Sequence, residues 1–189
     1  MAPRRLSIVA LALARNGAAW DPSVDPACCA YPQRDPRDFN YPYSHLLYAE
    51  IVPDVIGAFV AMTTLDVRFG ASGARVSYGE HIGPEAARSA PEARFDLDPD
   101  RDGSTLHTLL AVDPDVPFRD TPTDRQRLLW LVYDIPGNAT ASGRTLVPYA
   151  PPAPRACDEA DDLCLAEHRV TFMLWEQPDA WHAARRQLF

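Results

Sequence analysis

Proline constrains this chain more than any other residue. Nineteen prolines stand among 189 residues, about double the usual share of roughly 5%. Each fixes φ and withholds a backbone donor, so helix interiors and central strand ladders reject it. Such a chain is disfavoured as a helical bundle and favoured as short strands joined by stiff loops. At 47% hydrophobic residues it can still build one domain with a real core.

The apolar runs between the prolines read as strands. In TTLDVRFG, Leu65, Val67 and Phe69 alternate with Asp66 and Arg68, the period of a half-buried strand. ARVSYGEHI (74–82) follows a Gly-containing turn, and EARFDL reads as a strand entry. LHTLLAVD (106–113), RLLWLVYDI (127–135) and HRVTFMLWE (168–176) are more continuously apolar, as strands buried on both faces are. IVPDVIGAF reads as a turn or short helix leading into the first of these strands. The expected fold is mostly β, a Greek-key or sandwich type with a few short helices.

Three segments follow. Residues 1–19 carry Arg4, Arg5 and Arg15 and no acid, and read as an N-terminal helix or an uncleaved targeting-like segment, with the helix placed over 4–15. Residues 20–45 are rich in proline and aromatic residues without a period, and read as an extended arm whose rings anchor on a surface. Residues 46–189 form the globular domain. A net charge of −8 with no basic stripe argues against nucleic acid as a main partner. No apolar run reaches the roughly 18 residues of a membrane span. Cys28, Cys29, Cys157 and Cys164 match no zinc spacing, so no metal is expected. Cys157 and Cys164 pair as a disulfide in an oxidising compartment and stay thiols in a reducing one.

An ordered set of motifs, LLAVDPDVP, R…LLWLVYDIPG, VPYAPPAP and HRVTFMLWEQ, preceded by IVPDVIGAFVAMTTLDVRFG, resembles the phosphatidylethanolamine-binding protein (PEBP) family over about residues 50–177. The resemblance implies an antiparallel β-sandwich with peripheral helices and a small anion pocket at one end. It implies that Asp113, Asp115, Pro117, Tyr149 and His168 line that pocket, with Val116–Pro117 a candidate cis peptide. Arg125 is expected in an ion pair with a loop aspartate, and Arg169 completes the family's His-Arg pair.

The sequence also departs from the family. Leu129 stands where the pocket usually has a histidine donor, and Val170 where some members carry a pocket tyrosine. A phosphate oxygen facing Leu129 loses a charged hydrogen bond worth roughly 1.5–3 kcal/mol. The approach to His168 is lengthened and carries Asp158, Glu159, Asp161 and Asp162. Members usually continue with a further helix and strand after the motif ending in Gln177, which this sequence lacks, so an open strand edge or an apolar patch is expected for the N-terminal arm or a partner to cover. These readings point to a non-catalytic PEBP-like domain, without cofactor, serving as a structural subunit of a larger assembly. Its partners are then protein subunits, met through residues 20–45 and the C-terminal edge. The presequence-like start suggests a mitochondrial setting, such as the large ribosomal subunit. The alternative is a soluble regulatory protein, cytoplasmic or secreted, that binds a small anion or phospholipid headgroup in a reduced pocket.

Overall fold

The computed structural model describes residues 6–12, 46–57, 63–70, 73–76, 78–96, 105–154 and 167–178. Nine strands appear in them: β1 Leu6–Ala12, β2 Leu65–Phe69, β3 Ala74–Val76, β4 Tyr78–Ile82, β5 Glu92–Phe95, β6 His107–Asp113, β7 Arg127–Ile135, β8 Arg144–Val147 and β9 His168–Glu176. They form a six-stranded sheet in the order β4-β1-β9-β6-β7-β8 and a three-stranded sheet in the order β3-β2-β5. Pairing is antiparallel except between β1 and β9, which run parallel. The expected mostly-β sandwich is therefore present, and helical structure among the described residues is limited to the α-helical residues 46–48 and the 3-10 segment Thr140–Ser142.

The alternation in TTLDVRFG places Leu65, Val67 and Phe69 between the sheets. They meet Leu109, Ala111, Trp130, Val132, Val170, Phe172 and Leu174 from the larger sheet. Phe69 and Phe172 pack edge to face across this layer, with ring centroids 6.3 Å apart. Strand β9 is buried on both faces because the outer face of the larger sheet is also covered. There Leu46, Ile51 and Val52 pack against Val112 and Met173. The long apolar runs of β6 and β9 reflect this double burial.

Two expectations about chain course are corrected. Leu6–Ala12, read as part of a helix, is a strand inside the larger sheet. A short apolar run such as LSIVALA suits either state, and pairing with β4 and β9 on its two sides decides for the strand. β9 itself pairs with β6 on one side and β1 on the other. The run 74–82, read as one strand, is divided: β3 belongs to the small sheet and β4 to the large one. Residues 20–45 and the Cys157–Cys164 segment lie outside the described residues.

Candidate functional site

β6 ends at Asp113, and the next four residues build the site. The Asp113 side chain turns back, and its Oδ1 accepts the backbone N–H of Asp115 at 3.0 Å. This is the local turn aspartate favours, stiffened by the fixed φ of Pro114. The Val116–Pro117 peptide is cis, as expected, and so is Val52–Pro53. The loop doubles back far enough for its two carboxylates to reach consecutive residues of β9. Side chains of consecutive strand residues point to opposite faces, so His168 and Arg169 need acids delivered from two directions. The D-P-D turn supplies them.

Asp113 Oδ2 lies 2.8 Å from His168 Nδ1, and His168 Nε2 lies 3.0 Å from the Pro117 carbonyl. A carbonyl only accepts, so Nε2 carries a hydrogen. Nδ1 faces a carboxylate, so the ring is best satisfied as an imidazolium donating from both nitrogens. Burial pulls the imidazolium pKa down. The hydrogen bond and charge of Asp113 and the Pro117 carbonyl outweigh it, and the net direction is upward.

Arg169 is the second anchor. Its Nε and Nη2 fork onto the Asp115 carboxylate at 2.9 and 2.6 Å, and its backbone N–H donates to the same group at 2.8 Å. Nη2 also reaches Asp54 Oδ2 at 2.7 Å, while Nη1 donates to the carbonyls of Glu50 at 2.9 Å and Ala49 at 3.3 Å. Glu50 has φ +56°, in the left-handed region. Asp54 in turn holds Arg125 at 2.7 Å, the loop-aspartate pair expected for that arginine. The Arg125 hydrogen bond depresses the Asp54 pKa most, burial opposes it, and Arg169 adds to the depression. Asp113, Asp115, His168 and Arg169 are each at most 3% exposed.

The cluster is electrically balanced. Asp54, Asp113 and Asp115 stand against Arg125, His168 and Arg169, three charges of each sign with His168 protonated. Burying such charges is tolerable only with this degree of pairing and hydrogen bonding.

Of the expected site residues, Asp113, Asp115, Pro117 and His168 come together. Tyr149 stands in the neighbouring core layer: its hydroxyl donates to the Ala87 carbonyl at 2.8 Å and its ring packs edge to face on Trp130. Burial pushes its phenol pKa up. Leu129 and Val170 are buried members of the inter-sheet core. An apolar side chain there is well placed for packing, and it offers no hydrogen bond. Asp54 and the Ala49 and Glu50 carbonyls were not anticipated. Asp54 is joined to Arg169 across 115 positions of sequence, and no local pattern marks such a partner.

The chain is 33% identical over 133 residues to the Protein BROTHER of FT and TFL 1 of Arabidopsis thaliana, across 70% of this chain and 68% of that protein. It belongs to the phosphatidylethanolamine-binding protein family. The Protein FLOWERING LOCUS T of the same plant matches at 33% identity over the same shares of the two chains. Protein CENTRORADIALIS of Antirrhinum majus matches at 29% over 135 residues, covering 70% and 68%. Among solved structures, a phosphatidylethanolamine-binding protein from Plasmodium vivax has a TM-score of 0.55 at 26% identity, covering 69% of this chain and 68% of its own. A carboxypeptidase Y inhibitor, solved with its cognate proteinase, shares the fold with a TM-score of 0.61 at 24% identity, covering 72% of each chain. No protein-family model matches the chain. In this PEBP member the aspartate-proline loop and the His-Arg pair are joined as one buried unit.

Proposed function

We propose that this PEBP member is a non-enzymatic regulatory protein that acts by binding, with weak reception of a small anion or phospholipid headgroup beside the Asp113–Pro117 loop. The observation that carries this reading is the commitment of both His168 nitrogens, one to Asp113 and one to the Pro117 carbonyl. A general base needs a lone pair within reach of substrate, and an imidazolium donating from both nitrogens has none to offer. Strong anion binding is also disfavoured, because the cluster's charges already cancel and Leu129 adds no donor. What the cluster supplies is a stiff loop of fixed shape.

The relatives favour a regulatory role over a place in a large assembly, and they give no support to the mitochondrial ribosomal branch. A solved neighbour described as an inhibitor in complex with its proteinase fills a binding role on the same fold. The test is titration with inorganic phosphate and with glycerophosphoethanolamine, followed by amide shifts of residues 113–118 and the ring signals of His168. Saturable shifts at millimolar concentration support the reading. Shifts that never saturate reject the anion-binding half of it. Hydrolytic turnover of a phosphoester panel that is lost in a His168→Gln variant rejects the non-enzymatic half.

A further inference from the structure

β1 lies between β4 and β9 and is the element that joins them, so its departure would open two strand edges at once. Leu6–Ala12 pair with His168–Leu174, positions 162 apart in the chain. The other eight described strands come from residues 65–176. Thirty-three residues, 13–45, separate β1 from Leu46. Covalent geometry lets that many residues span up to about 110 Å, so chain connectivity alone does not force β1 into its place. Distant pairings repay their closure entropy late. Parallel pairing is also slightly weaker per residue than antiparallel pairing.

The β4 side is irregular as well. Ile8 pairs with Glu80 and Val9 with Tyr78, so Gly79 is passed over. Gly79 has φ +106°, a conformation side chains rarely adopt, and forms a bulge in the ladder. On the other side, Leu6 and Ser7 pair with His168 and Arg169, the two residues that hold the aspartate loop.

We propose that β1 is a detachable strand: the gap between β4 and β9 is a docking groove, residues 6–12 of this chain are its occupant, and their docking sets the backbone of His168 and Arg169. The remainder of the sandwich receives β1 as a separate unit. Undocking loosens the site from its β9 side while β6 and β7 stay paired.

Native-state hydrogen exchange on the intact chain tests this directly. Amides of 6–12, and those of β9 that face β1, should exchange on the order of 100-fold faster than the shared amides of β6 and β7, as a low-stability unit does. Equal protection across all four strands overturns the proposal. A second arm uses Val9→Pro, which removes a ladder donor, in the full chain. The two ring N–H signals of His168 should broaden or shift, and an added synthetic peptide of residues 4–14 should restore them. The variant should bind that peptide at least tenfold more tightly than the wild-type chain, whose groove is filled. Equal binding, unchanged His168 signals, or a variant that fails to fold as a whole each count against detachability.

Discussion

His168 and Asp113 sit 2.8 Å apart, both sealed from solvent, and the histidine's second nitrogen is held by a carbonyl of the loop that Asp113 begins. One protonated ring thereby fastens β9 to both ends of a five-residue loop. Stability should follow its charge. The folded pKa of His168 lies above its unfolded value near 6.5. Its contribution is therefore complete below that value and disappears as pH rises through the folded pKa. Urea unfolding from pH 5.5 to 9 should show wild-type stability falling as pH rises above about 6.5. His168→Gln should be less stable at the acid end and should lose this part of the slope.

Arg169 should be the costlier residue to remove. Arg169→Met leaves Asp115 and Asp54 without their shared cation, and truncating one side of a buried pair costs about 3–5 kcal/mol. Adding Asp115→Asn should recover part of the loss, because the uncompensated carboxylate is gone. Denaturant midpoints of the two single variants and the double variant measure the coupling. Strict additivity would mean the pair is energetically idle.

Leu129→His should move affinity and stability in opposite directions. An added donor for a charged acceptor is worth roughly 1.5–3 kcal/mol, so phosphate affinity should rise about tenfold or more in the titration described above. The same imidazole enters the inter-sheet cluster, so thermal stability should fall. Unchanged phosphate affinity in a folded variant would show that position 129 does not face the anion.

Gly143 tests packing near the Thr140–Ser142 turn. A Cβ there would meet Ile135 Cγ1 at 2.6 Å and Val132 Cγ1 at 2.7 Å. Its φ of −88° suits any residue, so space alone demands glycine. Gly143→Ala should cost about 1–3 kcal/mol by overpacking, with phosphate titration unchanged. Thermal melts check the first point.

The parts of this fold that were legible in sequence are those where burial writes a period. Leu65, Val67 and Phe69 announce β2, and the long apolar runs announce β6, β7 and β9. β8 left no such mark: Arg144, Thr145 and Leu146 are exposed and only Val147 is partly covered, so no face is apolar. β1 was misread because LSIVALA has no turn residue to limit it and its pairing partners lie far away in sequence. Asp113 and His168 were reached through motif resemblance, and their facing geometry was then a natural expectation. Asp54 was unreachable, since an isolated aspartate after a proline looks like any exposed turn residue until Arg169 arrives beside it.

That late arrival has a consequence for synthesis. The carbonyl of Ala49 waits 120 positions for its donor, and Asp54 waits 115 for its shared one. A nascent chain displays the whole Asp113–Pro117 loop while the cation for Asp115 is still unmade. Every ribosome-bound intermediate that stops short of residue 169 therefore carries two carboxylates without this arginine and a 46–56 cover without its latch. Completion of β9 is the step at which a growing chain first becomes able to close.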